Sequence, residues 1–228
     1  MFFPLRDDNP RGSFPAVTIS IIVLNAAVFL YEQSLGDVGL QRLFLEAGAI
    51  PARFGGSIQL PPGVDPFPAS ATLISSMFMH GGWMHLLGNM WFLWIFGDNV
   101  EDYFGALLFP IFFVISGLGA TAAHIAFDAG SAIPVVGASG AISGVLGAYA
   151  ILYPKARVYT FVWIIIFFRT FYLPAFAFLG LWFVYQFMSM GQGGVAWWAH
   201  IGGFVAGGGI ALAAKAGGRV PAQPRYFD

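Results

Sequence analysis

The chain has 228 residues, of which 58% are hydrophobic, 18% are aromatic and 9% are charged, and its mean hydropathy is +0.75. This composition excludes a soluble globular domain and predicts a polytopic membrane protein. The net charge of −1 offers no basic surface for nucleic acid, and a chain without cysteine has neither disulfides nor thiol chemistry.

In chain order, apolar stretches predict six membrane spans within one domain at residues 17–214, so the predicted fold class is an all-α membrane protein. The spans are expected at residues 17–31, 79–96, 103–127, 139–153, 175–188 and 195–214. Polar cytoplasmic tails are expected at residues 1–16 and 215–228. Residues 158–168 are apolar but too short to span, and they are interpreted as interfacial or re-entrant.

The basic residues predict the orientation. With both termini cytoplasmic, eight Lys and Arg residues fall on inside segments and two on outside segments. The fourth span can run only from Ser139 to Tyr153, because Pro154 follows, and at 1.5 Å per residue it covers about 22 Å of a core near 30 Å. Ser139 is therefore predicted in the outer half of the membrane, where irregular backbone is tolerated only beside a protein-enclosed, wet cavity.

Ser139 is the candidate nucleophile. It lies in the string Gly137-Ala138-Ser139-Gly140, where small neighbours leave its hydroxyl accessible and a helix start leaves backbone N–H groups unpaired. The string alone is a weak signal, because glycine and serine also recur wherever membrane helices pack closely. On this string alone, close packing is the favoured reading.

His200 is the candidate base. It precedes Gly203-x-x-x-Gly207 in the sixth span, and the fourth span carries a similar glycine stripe, so the two helices can approach closely. Both spans enter from the outer side, which puts Ser139 and His200 at comparable depth. A serine needs a base within about 3 Å. A lone buried histidine can instead be a satisfied core residue, and the pairing with Ser139 favours the base.

No carboxylate is placed to orient His200. Between residues 129 and 227 there is neither Asp nor Glu, and the nearest preceding carboxylate, Asp128, is in a loop on the outer side. The residues thus favour a Ser/His dyad over a triad. A metal site built from the histidines is disfavoured, because no H-E-x-x-H string and no carboxylate within a span would complete it.

The second span supplies candidate donors for an oxyanion. His85 and Asn89 are four residues apart, so one helix face can present an imidazole N–H and a carboxamide N–H to one point. Such donors stabilise the tetrahedral intermediate of acyl transfer. His80, at the head of the same span, is interpreted as a polar residue that holds a loop or water near the interface.

Together these motifs resemble those of the rhomboid intramembrane serine proteases. The resemblance covers roughly residues 70–214 and rests on His80-x4-His85-x3-Asn89, Glu101-x-x-x-Gly105, Gly137-x-Ser139-Gly140 and Ala199-His200-x-x-Gly203-x-x-x-Gly207. It implies a six-helix bundle of the rhomboid type, with Ser139 as nucleophile, His200 as general base and no cofactor. It also implies an oxyanion hole formed by the Ser139 N–H, His85 and Asn89, with His80, Gly137 and Gly140 in support.

The resemblance further implies the partners. The substrate would be a transmembrane protein segment that enters from the lipid near the second and fifth spans and is cut near its outer end. The chain departs from the family at Ser143, where some members have a tyrosine that stacks on the base, and it lacks an evident Trp-Arg pair in the first loop. A bacterial-type inner membrane is expected, and the oligomeric state is open.

Two other functions remain as alternatives. A transporter or channel could use His80, His85 and His200 as a proton relay, and it would not require Ser139. A catalytically inactive relative could act as a binding or quality-control scaffold for membrane proteins, but such a protein would usually lack one member of the dyad. Both members are present here, which favours the enzyme.

Overall fold

A computed structural model describes residues 2–56, 58–164, 166–188 and 195–219. Most of these residues are helical. The helices are α1 (Ala16–Ser34), α2 (Gly36–Ala47), α3 (Pro51–Phe54), α4 (Ala69–Ser75), α5 (Trp83–Phe127), α6 (Ser139–Leu152), α7 (Ala175–Met188) and α8 (Trp197–Ala216), with a 3-10 turn at Ser76–Phe78. The strands are β1 (Phe2–Asp7), β2 (Arg157–Ile164) and β3 (Phe167–Pro174). Of the predicted C-terminal tail, residues 220–228 lie outside the described residues.

Helices α1, α5 and α8 are long and apolar enough to cross a membrane. Helix α5 has 45 residues, and its backbone leaves the helical region at Gly105, where φ is 74° and ψ is 159°. This left-handed conformation favours glycine. The second and third predicted spans are therefore the two halves of one kinked helix. Helices α6 and α7 have 14 residues each, so the count of six spans stays a prediction.

Polar contacts connect the region of the kink to the start of α1 and to the segment that follows α8. The buried carboxylate of Glu101 accepts hydrogen bonds from the backbone N–H groups of Val17 and Thr18, at 3.0 and 2.7 Å, and from the Thr18 hydroxyl at 2.7 Å. It thereby satisfies amides that the first turn of α1 leaves unpaired. The guanidinium of Arg219 donates to the carbonyl oxygens of Tyr103 and Phe104, at 2.9 and 2.5 Å. These bonds satisfy carbonyls just before Gly105.

Glycine lets α6, α8 and the second half of α5 pack backbone to backbone. A Cβ atom at residue 203 would overlap the carbonyl oxygen of Gly140, and one at residue 207 would overlap that of Gly144. A Cβ at residue 140 would lie 2.6 Å from the Cβ of Ala120. The close approach predicted from the two glycine stripes is confirmed, and it fixes the ends of α6 and α8 beside each other.

The sheet corrects the interpretation of two segments. β1, β2 and β3 form an antiparallel sheet in that order, so residues 2–7 of the predicted polar tail are a strand. Of the segment 158–168, residues 158–164 lie in β2 and residues 167–168 lie in β3. The β-branched and aromatic residues of the second segment explain its extended backbone. The indole N–H of Trp91 on α5 donates to the carbonyl oxygen of Pro4 at 2.7 Å, and Phe3 stacks on Trp91. An all-α description is therefore incomplete.

Candidate active site

The start of α6 and the first turn of α8 bring a hydroxyl and an imidazole together. Ser139 is the first residue of α6, so its backbone N–H has no partner within the helix. Its Oγ atom lies 2.9 Å from Nε2 of His200, which is a hydrogen-bonding distance. Both side chains are partly buried. This geometry allows direct proton transfer between the two groups.

Backbone hydrogen bonds hold the loop that leads into α6. Val135 pairs with Ala49, with N···O distances of 2.8 and 3.1 Å, and the N–H of Gly137 donates to the carbonyl oxygen of Ser76 at 2.8 Å. Gly137 has a φ of 127°, a value that L side chains rarely adopt. Gly137 is thus tied to the 3-10 turn that precedes α5, and Ser139 follows it by two positions.

His85 and Asn89 face this loop from the first half of α5. A Cβ atom at residue 137 would lie 2.8 Å from Nε2 of His85 and 3.6 Å from Oγ of Ser139, so the imidazole and the hydroxyl border the same small space. The N–H of Gly81 donates to Nδ1 of His85 at 3.4 Å, which leaves the ring proton on Nε2. The buried Nδ2 of Asn89 has no hydrogen-bond partner within the described part of the chain. Both side chains can therefore donate to a ligand.

His80 lies behind His85. Its side chain is fully buried, and its ring meets that of His85 edge to face with 5.1 Å between the centroids. The backbone N–H of His80 donates to both carboxylate oxygens of Glu32, each at 3.2 Å. Glu32 on α1 is also fully buried. His80 thus packs against the imidazole of His85 from within the buried core.

The sequence motifs do not predict the residues that surround His200. Nδ1 of His200 lies 2.9 Å from Oε1 of Gln186 on α7, and the rings of Trp182 and Trp197 lie 6.2 and 5.8 Å from the imidazole. Ser143, at the position of the family's tyrosine, donates instead to the carbonyl oxygen of Ser139 at 2.7 Å. One signal was available, because Gln186 is the only carboxamide in the apolar helix α7.

A cavity of about 1220 Å³ contains the site. Ser139, His200, His85 and Asn89 all line it. Its apolar walls come from the first half of α5 and from α7, and they include Met84, Phe92, Leu181, Val184 and Tyr185. Phe2 and Phe3 of β1 also line it. The predicted N-terminal tail therefore contributes a wall of the cavity.

The model of the Rhomboid domain family matches residues 69–216. RHOMBOID-like protein 5 of Arabidopsis thaliana is 42% identical over 76 residues, which cover 33% of this chain and 25% of that protein. Rhomboid protein 1, mitochondrial, of Saccharomyces cerevisiae is 31% identical over 102 residues, which cover 43% and 30%. Rhomboid-like protein 11, chloroplastic, of Arabidopsis thaliana is 28% identical over 124 residues, which cover 54% and 38%.

These similarities span less than two fifths of the length of each relative. The domain match, in contrast, covers more than half of this chain. It includes Ser139, His200, His85 and Asn89. Among the described residues, three helices are long and apolar enough to cross a membrane. The protein is therefore a multi-pass membrane protein that belongs to the rhomboid family.

Proposed function

We propose that this protein is an intramembrane serine endopeptidase that hydrolyses a peptide bond in or next to a transmembrane segment of another protein. The observation that carries the proposal is the 2.9 Å distance between Ser139 Oγ and His200 Nε2 inside the cavity. A hydroxyl within hydrogen-bonding reach of an imidazole is the arrangement that activates a serine nucleophile. Family membership supports the same activity.

In the acylation step, Ser139 Oγ attacks the carbonyl carbon of the scissile bond while His200 Nε2 accepts the hydroxyl proton. The carbonyl oxygen then carries negative charge. The Ser139 N–H, the His85 Nε2–H and the Asn89 Nδ2–H would donate hydrogen bonds to it, and each such donor is worth roughly a hundred- to a thousandfold in kcat. The carbon–nitrogen bond breaks as the protonated His200 gives its proton to the leaving amine.

Deacylation repeats these roles with water. His200 accepts a proton from a water molecule, the resulting hydroxide attacks the acyl carbon, and Ser139 leaves with the proton returned by His200. This step needs water at a site within the membrane thickness. The polar groups of the cavity, namely those of Ser139, His200, His85 and Asn89, can hydrogen-bond that water.

The shape of the cavity supports a transmembrane substrate. Its walls on α5 and α7 include side chains that are exposed on the outside of the bundle, among them Met84 at 82% and Tyr185 at 58%. The cavity thus reaches the lipid-facing surface between these two helices, and an apolar segment could enter there. The segment must be extended at the cleavage point, since a helix hides its carbonyl groups from attack.

Cleavage of a model transmembrane substrate by the purified protein in lipid vesicles tests the proposal. We expect Ser139→Ala and His200→Ala each to abolish cleavage, because each removes one member of the dyad. Ser20→Ala, which changes an exposed serine on α1, should cut at the wild-type rate. Cleavage that persists in both dyad variants would contradict the proposal, and binding of substrate without cleavage by the wild type would favour the inactive scaffold.

The proposed site lies in the outer half of the membrane, with both termini cytoplasmic. Substrates and lipids are the proposed partners. Two of the relatives are described as mitochondrial and chloroplastic, so these relatives do not support a bacterial-type inner membrane. A transporter is not favoured, because it would not need the Ser139–His200 contact.

A further inference from the structure

The imidazole of His200 has a second polar partner, on α7. Its Nδ1 atom lies 2.9 Å from Oε1 of Gln186, and its Nε2 atom faces Ser139 Oγ. Gln186 is only 3% exposed, and its Nε2 donates to the carbonyl oxygen of Trp182 at 3.0 Å. Both ends of the buried carboxamide are therefore hydrogen-bonded, one to the backbone of α7 and one to the proposed base.

The donor and acceptor roles in this chain of contacts can be assigned. A carbonyl oxygen only accepts, so the amide nitrogen of Gln186 must face Trp182 and the amide oxygen must face His200. Because that oxygen also only accepts, the ring proton of His200 must lie on Nδ1. Nε2 then carries the lone pair that can take the proton of Ser139. The opposite amide orientation would set two oxygens against each other and would leave Nδ1 without its proton.

Among the described residues, no carboxylate is paired with His200, and the ionisable groups that act on it electrostatically are His85 and His124. The sequence has no Asp or Glu from residue 129 to residue 227. In other hydrolytic enzymes an orienting carboxylate or carboxamide fixes the catalytic imidazole and selects its tautomer. Gln186 occupies the geometric place of that third group.

We infer that Gln186 is a positioning residue, which holds His200 in the Nδ1–H tautomer and in line with Ser139, and which turns the dyad into a Ser-His-Gln triad. This inference rests on the proposed protease function. An amide carries no charge, so Gln186 orients the base without adding a buried charge to the membrane interior. The position also makes the base depend on α7, since the contact exists only while α7 packs beside α8.

Two variants of similar volume separate positioning from packing. Gln186→Met keeps the length of the side chain but removes the acceptor for Nδ1–H. Gln186→Glu keeps an acceptor, and in its neutral form the carboxyl group also donates to the Trp182 carbonyl oxygen. Gln41→Met changes an exposed glutamine on α2 and serves as the matched control. Each protein is assayed for kcat, KM and thermal midpoint with the model transmembrane substrate.

We expect Gln186→Met to lower kcat by roughly ten- to a hundredfold with little change in KM, as for other partners that orient an imidazole. Gln186→Glu should recover most of that loss, and Gln41→Met should match the wild type. Wild-type kcat in Gln186→Met, or an equal loss of kcat in the Met and Glu variants, would overturn the inference. Ser139→Ala in the same assay separates the two proposals, because cleavage by that variant would refute the protease function itself.

Discussion

Substitution of Gly137 by alanine is expected to damage catalysis far more than stability. Gly137 has a φ of 127°, and a Cβ atom there would lie 2.7 Å from Cε1 and 2.8 Å from Nε2 of His85. Ordinary contacts between carbon atoms lie at about 3.5 to 4.0 Å, so the ring must retreat by about 1 Å. The Gly137 backbone cannot move instead without losing its 2.8 Å bond to Ser76.

The backbone conformation at residue 137 determines the expected loss of stability, and the displacement of the His85 ring determines the expected loss of kcat. An L residue in the left-handed region costs about 1 to 2 kcal/mol, which would shift the thermal midpoint of a chain of this size by only a few degrees. Withdrawal of one oxyanion donor costs roughly a hundred- to a thousandfold in kcat. Because the ring retreats from the reacting carbonyl and not from the substrate's other contacts, we expect KM to change little.

The assay is steady-state cleavage of the model transmembrane substrate, together with a thermal melt of each variant. Gly130→Ala is the matched control, because a Cβ at that loop position meets no atom within 4 Å. We expect wild-type kcat for Gly130→Ala and at least a tenfold lower kcat for Gly137→Ala. A Gly137→Ala enzyme with more than half of the wild-type kcat would refute the assignment of His85 to the oxyanion.

Three further predictions concern stability. Glu101→Gln should lower the free energy of unfolding by about 1 to 3 kcal/mol, because the buried amides at the start of α1 lose a charged acceptor. Gly207→Ala should destabilise the protein strongly, since its Cβ overlaps the Gly144 carbonyl oxygen, whereas Gly209→Ala meets no atom within 4 Å and should be neutral. Burial raises the pKa of Asp7 from its ordinary 3.8 to about 6, so the free energy of unfolding should fall, by up to about 3 kcal/mol, as the pH rises from about 4 to 6.

Denaturation of the purified variants in detergent measures all three. In the pH series the folded protein holds the Asp7 proton more tightly than the unfolded chain does. The contribution of Asp7 to the free energy of unfolding is therefore fully present below about pH 4 and is lost as the pH rises to about 6. Asp7→Asn should remove that part of the pH dependence. Equal pH profiles for wild type and Asp7→Asn would contradict the burial of Asp7. Equal melts for Gly207→Ala and Gly209→Ala would contradict the close approach of Gly207 to Gly144. An unchanged melt for Glu101→Gln would contradict the hydrogen bonds from Glu101 to α1.

The sequence predicts the start of α6 and its pairing with α8 because both depend on local, strongly constrained residues. Pro154 ends the fourth span, and the glycines of the two helices permit close packing. With those limits, Ser139 and His200 must fall at similar depth. The structure adds the short distance between them, which no spacing argument supplies.

Other features depend on contacts between distant parts of the chain. Phe2–Asp7 pairs with a strand about 150 residues later, and a short apolar run in a membrane protein does not by itself distinguish a strand from an interfacial helix. Gln186 meets His200 only through the packing of α7 against α8. Glu101 caps a helix that begins 85 residues earlier, at Ala16.

Reaction with a fluorophosphonate, followed by mass spectrometry, tests the central claim most directly. The reagent forms a covalent bond only with a serine whose hydroxyl is activated, and it requires no natural substrate. We expect a single adduct on Ser139 in the wild type and in Ser20→Ala, and no adduct in His200→Ala. An unlabelled wild-type protein, an adduct on another serine, or full labelling of Ser139 without His200 would contradict the account.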